Sequence, residues 1–138
     1  MNIFSQAKKG IISEEVRTVS KNESVSVEEL MENFSSGKVS IMKNRLRTIT
    51  PVAVGKGLKT KVNANIGTSP DLFNLETELE KLHAALKAGT DAVMDLSTGG
   101  DLSFFRKKIL ENSPVPLGTV PIYETAVRMV AQKKSMKE

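Results

Sequence analysis

Three places in the second half of this 138-residue sequence carry side chains able to hold a small molecule. The first is Asn63-Ala64-Asn65, just ahead of Ile66-Gly67. Amides both donate and accept, and strand alternation puts residues 63 and 65 on one face and Ala64 on the other. Asparagine before glycine also serves turns by bonding nearby backbone, and the spacing alone does not choose between these roles. The second is Met94-Asp95, leading into Ser97-Thr98-Gly99-Gly100-Asp101. Two glycines ahead of a helix let backbone N–H groups approach an anion. Asp101 reads better there as a helix cap than as an acid. Asp95 at a strand end needs a partner or solvent, and Met94 by itself reads as core. The third is Gly118-Thr119-Val120-Pro121-Ile122-Tyr123, which brings the single tyrosine to a helix start. Its hydroxyl either meets a ligand or is satisfied beside a buried ring.

The residues that would make a catalyst are missing. His83 is the one histidine, and it sits beside the apolar stripe of its helix as a boundary or surface residue. A zinc site needs three or four convergent ligands, so no metal site is expected, and no Ser–His–Asp set is supported. With no cysteine, the chain holds no disulfide, thiolate or cysteine-bound iron–sulfur cluster of its own. Side-chain chemistry alone ends at a small-ligand site without a visible catalyst.

The elements that would position such a site follow a repeated plan from Lys61 onward. The spacing predicts a strand over 61–67, then a helix over 75–88 with Leu75, Leu79, Leu82 and Leu86 on one stripe and Gly89 as its stop. A second strand is predicted over 91–96, followed by a helix capped by Asp101 with the stripe Leu102, Phe105 and Ile109. Residues 115–120 read as a third strand, weakened by its prolines. Ile122 to about Gln132 reads as a third helix, with Tyr123, Val127 and Val130 on one side. This alternation is an α/β class with a parallel sheet, either doubly wound or an eight-fold barrel. Three units do not close a barrel, so an open strand edge is expected.

Residues 1–58 form a separate amino-terminal segment, and 59–138 the partial barrel domain. In the segment, Ser13-Glu14-Glu15-Val16 opens a short helix. Ser26 and Glu29 form a capping box ahead of Val27, Leu30, Met31 and Phe34, and Gly37 stops that helix. Lys38–Met42 alternates like a strand, and Pro51, Gly55 and Gly57 mark the passage into the second region.

The net charge of +4 is spread evenly, with eight basic against six acidic residues over 1–50 and twelve against ten over 51–138. Neither half forms a basic stripe, so nucleic-acid binding is not expected. Only Lys133-Lys134-Ser135-Met136-Lys137 is locally basic, as a solvated end would be. The first ten residues lack the apolar run of a signal peptide, and no stretch approaches the ~18 apolar residues of a membrane helix. A cytoplasmic protein without a membrane partner is expected.

The three strand ends also carry a resemblance. Lys61-Val62-Asn63-Ala64-Asn65-Ile66-Gly67-Thr68-Ser69, Val93-Met94-Asp95-Leu96-Ser97-Thr98-Gly99-Gly100-Asp101 and residues 112–123 resemble successive signatures of the phosphomethylpyrimidine synthase family, in order and separation. Ala7–Ile12 and Gly37–Ile41 resemble that family's amino-terminal region more loosely. The resemblance implies the first three βα units of a (βα)8 TIM-like barrel. It also implies a thiamine-biosynthesis enzyme that rearranges aminoimidazole ribotide into hydroxymethylpyrimidine phosphate with S-adenosylmethionine and a 4Fe–4S cluster. By motif position Asn65, Met94 and Tyr123 correspond to substrate contacts: Asn65 as a hydrogen-bonding group, Met94 against the ring, and Tyr123 as a hydroxyl. They lie 29 positions apart each time, which suggests equivalent places on consecutive units.

The family's cluster cysteines, zinc-like metal histidines and further contacts lie on later parts that this chain lacks. No catalytic or metal residue is therefore assigned, and the chain alone is expected to be inactive. It is expected to be a fragment, a truncated paralogue binding a ribonucleotide, or a decayed gene product. Its expected partner is a second copy or a separately encoded remainder of the barrel. The related hydroxybenzimidazole synthase of cobamide biosynthesis resembles the same motifs and starts from the same nucleotide.

Overall fold

The computed structural model describes residues 2–44 and 46–133, so the basic end at 134–137 lies outside the described residues. The chain divides into two compact units, Met1–Lys61 and Val62–Glu138.

In the first unit three helices precede a hairpin: α1 (Ile3–Ala7), α2 (Glu14–Glu23), α3 (Val27–Ser35), β1 (Val39–Met42) and β2 (Val52–Gly55). Each helix begins at a polar side chain that satisfies an otherwise unpaired N–H. Asn2 Oδ1 accepts from Ser5 N at 2.8 Å, Ser13 Oγ from Val16 N at 3.4 Å, and Ser26 Oγ from Glu29 N at 3.1 Å. Glu14, Glu15, Glu28 and Glu29 place negative charge in the first turns of α2 and α3, where the helix dipole favours it. The core joins Val16 and Val19 of α2, Leu30 and Phe34 of α3, and Val39 and Ala53 of the hairpin.

The hairpin differs from the sequence reading. Residues 52–55, read as part of a boundary, form β2, antiparallel to β1 with Ile41 opposite Ala53. Pro51 stands just before the first residue of β2, where a missing N–H costs no ladder bond. Lys43 donates to Glu15 Oε1 at 2.8 Å, and that hydrogen bond above all holds the Glu15 carboxyl down at about 2.

The second unit runs β3 (Asn63–Ile66), α4 (Leu75–Lys87), β4 (Ala92–Asp95), α5 (Leu102–Asn112), β5 (Leu117–Thr119) and α6 (Pro121–Ala131). The three strands form one parallel sheet in the order β3-β4-β5, and no barrel is closed among the described residues. The expected α/β alternation is therefore present in all three units. Asn74 caps α4 through Thr77 N at 3.0 Å, and Asp101 caps α5 through Phe104 N at 3.0 Å. Leu79, Leu82 and Leu86 of α4 and Ile109 of α5 pack on Ile66, Val93 and Leu117 of the sheet. Leu82, Val93 and Ile109 are fully buried, each worth about 1.5–3 kcal/mol of apolar burial.

α6 behaves differently. None of its residues is buried; of its expected apolar side Tyr123 and Val130 are exposed and Val127 is half-buried, and Ile122 beside them is exposed. Among the described residues no helix is long and apolar enough to cross a membrane.

Candidate substrate-binding face

Sheet geometry sorts the strand residues into two sets. Ala64, Ile66, Val93 and Leu117 point to the helices. By the two-residue period, Asn63, Asn65, Met94 and Gly118 stand on the other face. There Asn65 is the register partner of Met94, and Met94 of Gly118. Both asparagines are exposed and Met94 is half-buried. A Cβ on Gly118 would lie 2.9 Å from Met94 Sδ and 3.0 Å from its Cε, so the thioether lies across the glycine, in room that any larger residue would fill. The face thus offers a polar amide next to a flat apolar rest, which suits a ring bearing polar substituents.

Tyr123 is placed otherwise than its spacing suggests. Met94 pairs with Gly118, five residues short of Tyr123, so the three residues do not hold equivalent places on consecutive strands. The first connection is longer than the second, and Tyr123 falls in the first turn of α6, at the helix start where the sequence reading put it. The reading of a buried ring also fails. Tyr123 is 40% exposed, and its N–H bonds Val120 O at 3.0 Å. The structure brings Asn65 and Met94 together and sets Tyr123 on the following helix.

Behind this face, the strand-end loops are locked by buried polar groups. Asp95, 4% exposed, accepts from Ser97 N at 3.0 Å and Ser97 Oγ at 2.5 Å. Ser97 Oγ in turn accepts from Thr68 N at 3.0 Å, and Thr68 Oγ1 donates to Gly99 O at 2.6 Å. The loops after β3 and β4 are so close that a Cβ on Gly99 would collide with Ser69 O. Gly67, at φ +148°, could not carry one either, since it would lie 2.6 Å from Ser97 N. Asp95 therefore spends Oδ1 on the loop, and Asp101 is the cap expected of it.

The sequence reading did not single out Glu78. It is 1% exposed, accepts from Gly67 N at 3.0 Å through Oε2, and is paired with Lys81 Nζ at 2.5 Å. Lys81 also donates to Gly67 O at 3.3 Å. The signal was available: position 78 lies four residues before Leu82, on the same helical face. His83 is exposed, as expected of a surface position.

A cavity of about 860 Å³ belongs to the first unit alone, bordered by Gln6, Glu15, Lys43, Asn44 and Ile49. Its Lys43 and Glu15 neutralise each other, and it holds none of the strand-end residues. Among the described residues no three His, Cys, Asp or Glu side chains group to hold a metal, and the sequence has no cysteine. The residues present do not fit an iron–sulfur cluster.

Known proteins are similar to this chain in sequence along nearly all of its length. The model of the Radical SAM ThiC family matches residues 2–138. A phosphomethylpyrimidine synthase of Thermodesulfovibrio yellowstonii is 57% identical over 130 residues, covering 94% of this chain and 30% of that protein. One from Pyrococcus furiosus is 47% identical over 139 residues, covering 100% and 32%. One from Methanocaldococcus jannaschii is 50% identical over 124 residues, covering 90% and 29%. The chain therefore spans about a third of the length of the curated relatives it matches. On a match that runs from residue 2 to residue 138, the chain belongs to the Radical SAM ThiC family.

Proposed function

We propose that this chain supplies part of the substrate wall of a phosphomethylpyrimidine synthase of thiamine biosynthesis, with aminoimidazole ribotide as the molecule held. The observation that carries this reading is the pairing of Asn65 with Met94 at the strand ends of a sheet face left open. Asn65 hydrogen-bonds the ribotide, Met94 packs its ring, and Tyr123 adds a hydroxyl from the first turn of α6. The rest of the (βα)8 barrel, S-adenosylmethionine, the 4Fe–4S cluster and a zinc-like metal belong in this reading to parts beyond these residues. They come from a continuing chain, a second copy or a separate subunit, in the cytoplasm. The residues here bind and orient, and they transfer no electron or proton.

The test is a titration of aminoimidazole ribotide into isotope-labelled chain followed by nuclear magnetic resonance. Shifts at the Asn65 side-chain amide, the Met94 methyl and the Tyr123 ring are expected, and Asn65→Ala is expected to weaken binding about tenfold. Unchanged spectra at millimolar ribotide would overturn the proposal.

A further inference from the structure

The amide of Asn65 has a partner on its own strand. Asn63 Nδ2 donates to Asn65 Oδ1 at 3.0 Å, the one side-chain hydrogen bond of either amide among the described residues. Because an amide has one accepting and one donating end, engaging Oδ1 leaves the Asn65 NH2 as the end offered outward.

Asn63 itself stands on a fixed base. Val62 N donates to Asp91 Oδ2 at 2.8 Å, Ala64 N to Thr90 Oγ1 at 3.2 Å, and Thr90 Oγ1 to Val62 O at 3.0 Å. The backbone is therefore tied on both sides of residue 63. Its register neighbour on β4 is Ala92, whose methyl offers no competing polar partner. A parallel strand is normally apolar on both faces, yet this one places two amides two residues apart on its open face. One amide suffices to contact a ligand, and the second has a use if it orients the first.

We infer that Asn63 is a positioning residue that sets the polarity of Asn65, so that the site presents a donor and selects a hydrogen-bond acceptor. On aminoimidazole ribotide that acceptor is a ring nitrogen lone pair or a ribose or phosphate oxygen. The inference rests on the proposed binding role of Asn65 and adds the direction of its hydrogen bond.

Asn63→Asp tests it, because a carboxylate only accepts. It can bond only to the Asn65 NH2, which turns the amide over and offers Oδ1 to the ligand instead. Ribotide affinity is measured by the same titration for wild type, Asn63→Asp, Asn65→Ala and the double variant, each checked for an unchanged fold by circular dichroism. Asn63→Asp is expected to bind about tenfold more weakly, while adding little to the loss already caused by Asn65→Ala. That non-additivity is the signature of one residue acting through the other. If Asn63→Asp weakens binding equally with and without Asn65, its charge acts on the ligand directly and the inference is overturned. If Asn65→Ala binds weakly but Asn63→Asp binds like wild type, the inference again fails alone. If the wild-type chain takes up no ribotide, the proposed function falls and the inference with it.

Discussion

The two faces of the three-stranded sheet are built from the same strands and serve opposite ends. Toward the helices, Val93 of β4 meets Leu82 and Ile109, all fully buried. On the other side, one residue further along the same strand, Met94 lies half-buried between Asn65 and Gly118. A parallel sheet ordinarily needs both faces covered. Here one face already anchors the strands through α4 and α5, so the other is released from packing and can carry amides. A change of a single position along β4 therefore moves a side chain from the buried core to the open face.

The largest expected effect breaks this comparison if it is false. Leu82→Ala is expected to cost about 2–5 kcal/mol by the usual transfer and cavity penalties, and Met94→Ala less than about 1.5 kcal/mol, since Met94 is already partly solvated. Urea unfolding of each variant measures both. Equal losses would mean that the open face is packed as tightly as the covered one.

A smaller effect is expected where the covered side supports the open one. Glu78 reaches from α4 to the N–H of Gly67, two residues beyond Asn65. Glu78→Ala leaves a half-buried N–H unpaired and Lys81 without its carboxylate, at about 1–3 kcal/mol. Glu78→Gln keeps an acceptor oxygen and is expected to lose less. Hydrogen exchange at Gly67 N–H separates local loosening from global unfolding. If that proton exchanges no faster in Glu78→Ala than in wild type, the clamp does not hold the loop.

Local signals made much of this legible in the sequence. The caps at Ser26 and Asp101, Leu79, Leu82 and Leu86 of the α4 stripe and the alternation of Asn63, Ala64 and Asn65 each depend on residues within a turn or two, and each appears as read, whereas Leu75 at the head of that stripe is only half-buried. What escaped depends on partners far along the chain. β2 is a strand because β1 lies beside it, whereas its flanking proline and glycines read locally as punctuation. Equal spacing placed Tyr123 with Asn65 and Met94, but spacing counts residues and not the length of each connection, and only the register shows Gly118 in that place. Glu78 was passed over because a glutamate on a helix usually faces water. Its burial follows from a backbone N–H on a distant loop that needed an acceptor.

The smallest effect concerns the helix that carries Tyr123, which sharpens the contrast between elements held by burial and elements held by charge. α4 and α5 are fastened by apolar contacts, whereas α6 buries none of its residues. It is tied to α5 by Glu124, which is paired with the Arg106 guanidinium and accepts from Ser103 Oγ at 3.2 Å. Arg128 of α6 itself also pairs with Glu124, at 2.5 Å. The hydrogen bond from Arg106 above all, and then the charges of Arg106 and Arg128, hold the Glu124 carboxyl below its ordinary 4.5. A lowered carboxylate pKa stabilises the folded form above the ordinary value, and that contribution is lost as pH falls through the lowered one. The tie of α6 is therefore expected to be intact above pH 4.5 and to release only in more acid solution. A carboxyl-carbon titration should place the Glu124 midpoint below 4.5 in the wild type. It should move back toward 4.5 in Arg106→Gln, and by less in Arg128→Gln, because Arg106 is the chief cause of the shift. A wild-type midpoint at 4.5, or one that Arg106→Gln leaves in place, would mean that charge does not fasten α6. Tyr123 would then owe its position to the Val120-Pro121 entry into the helix alone, where proline's fixed φ already suits the first turn.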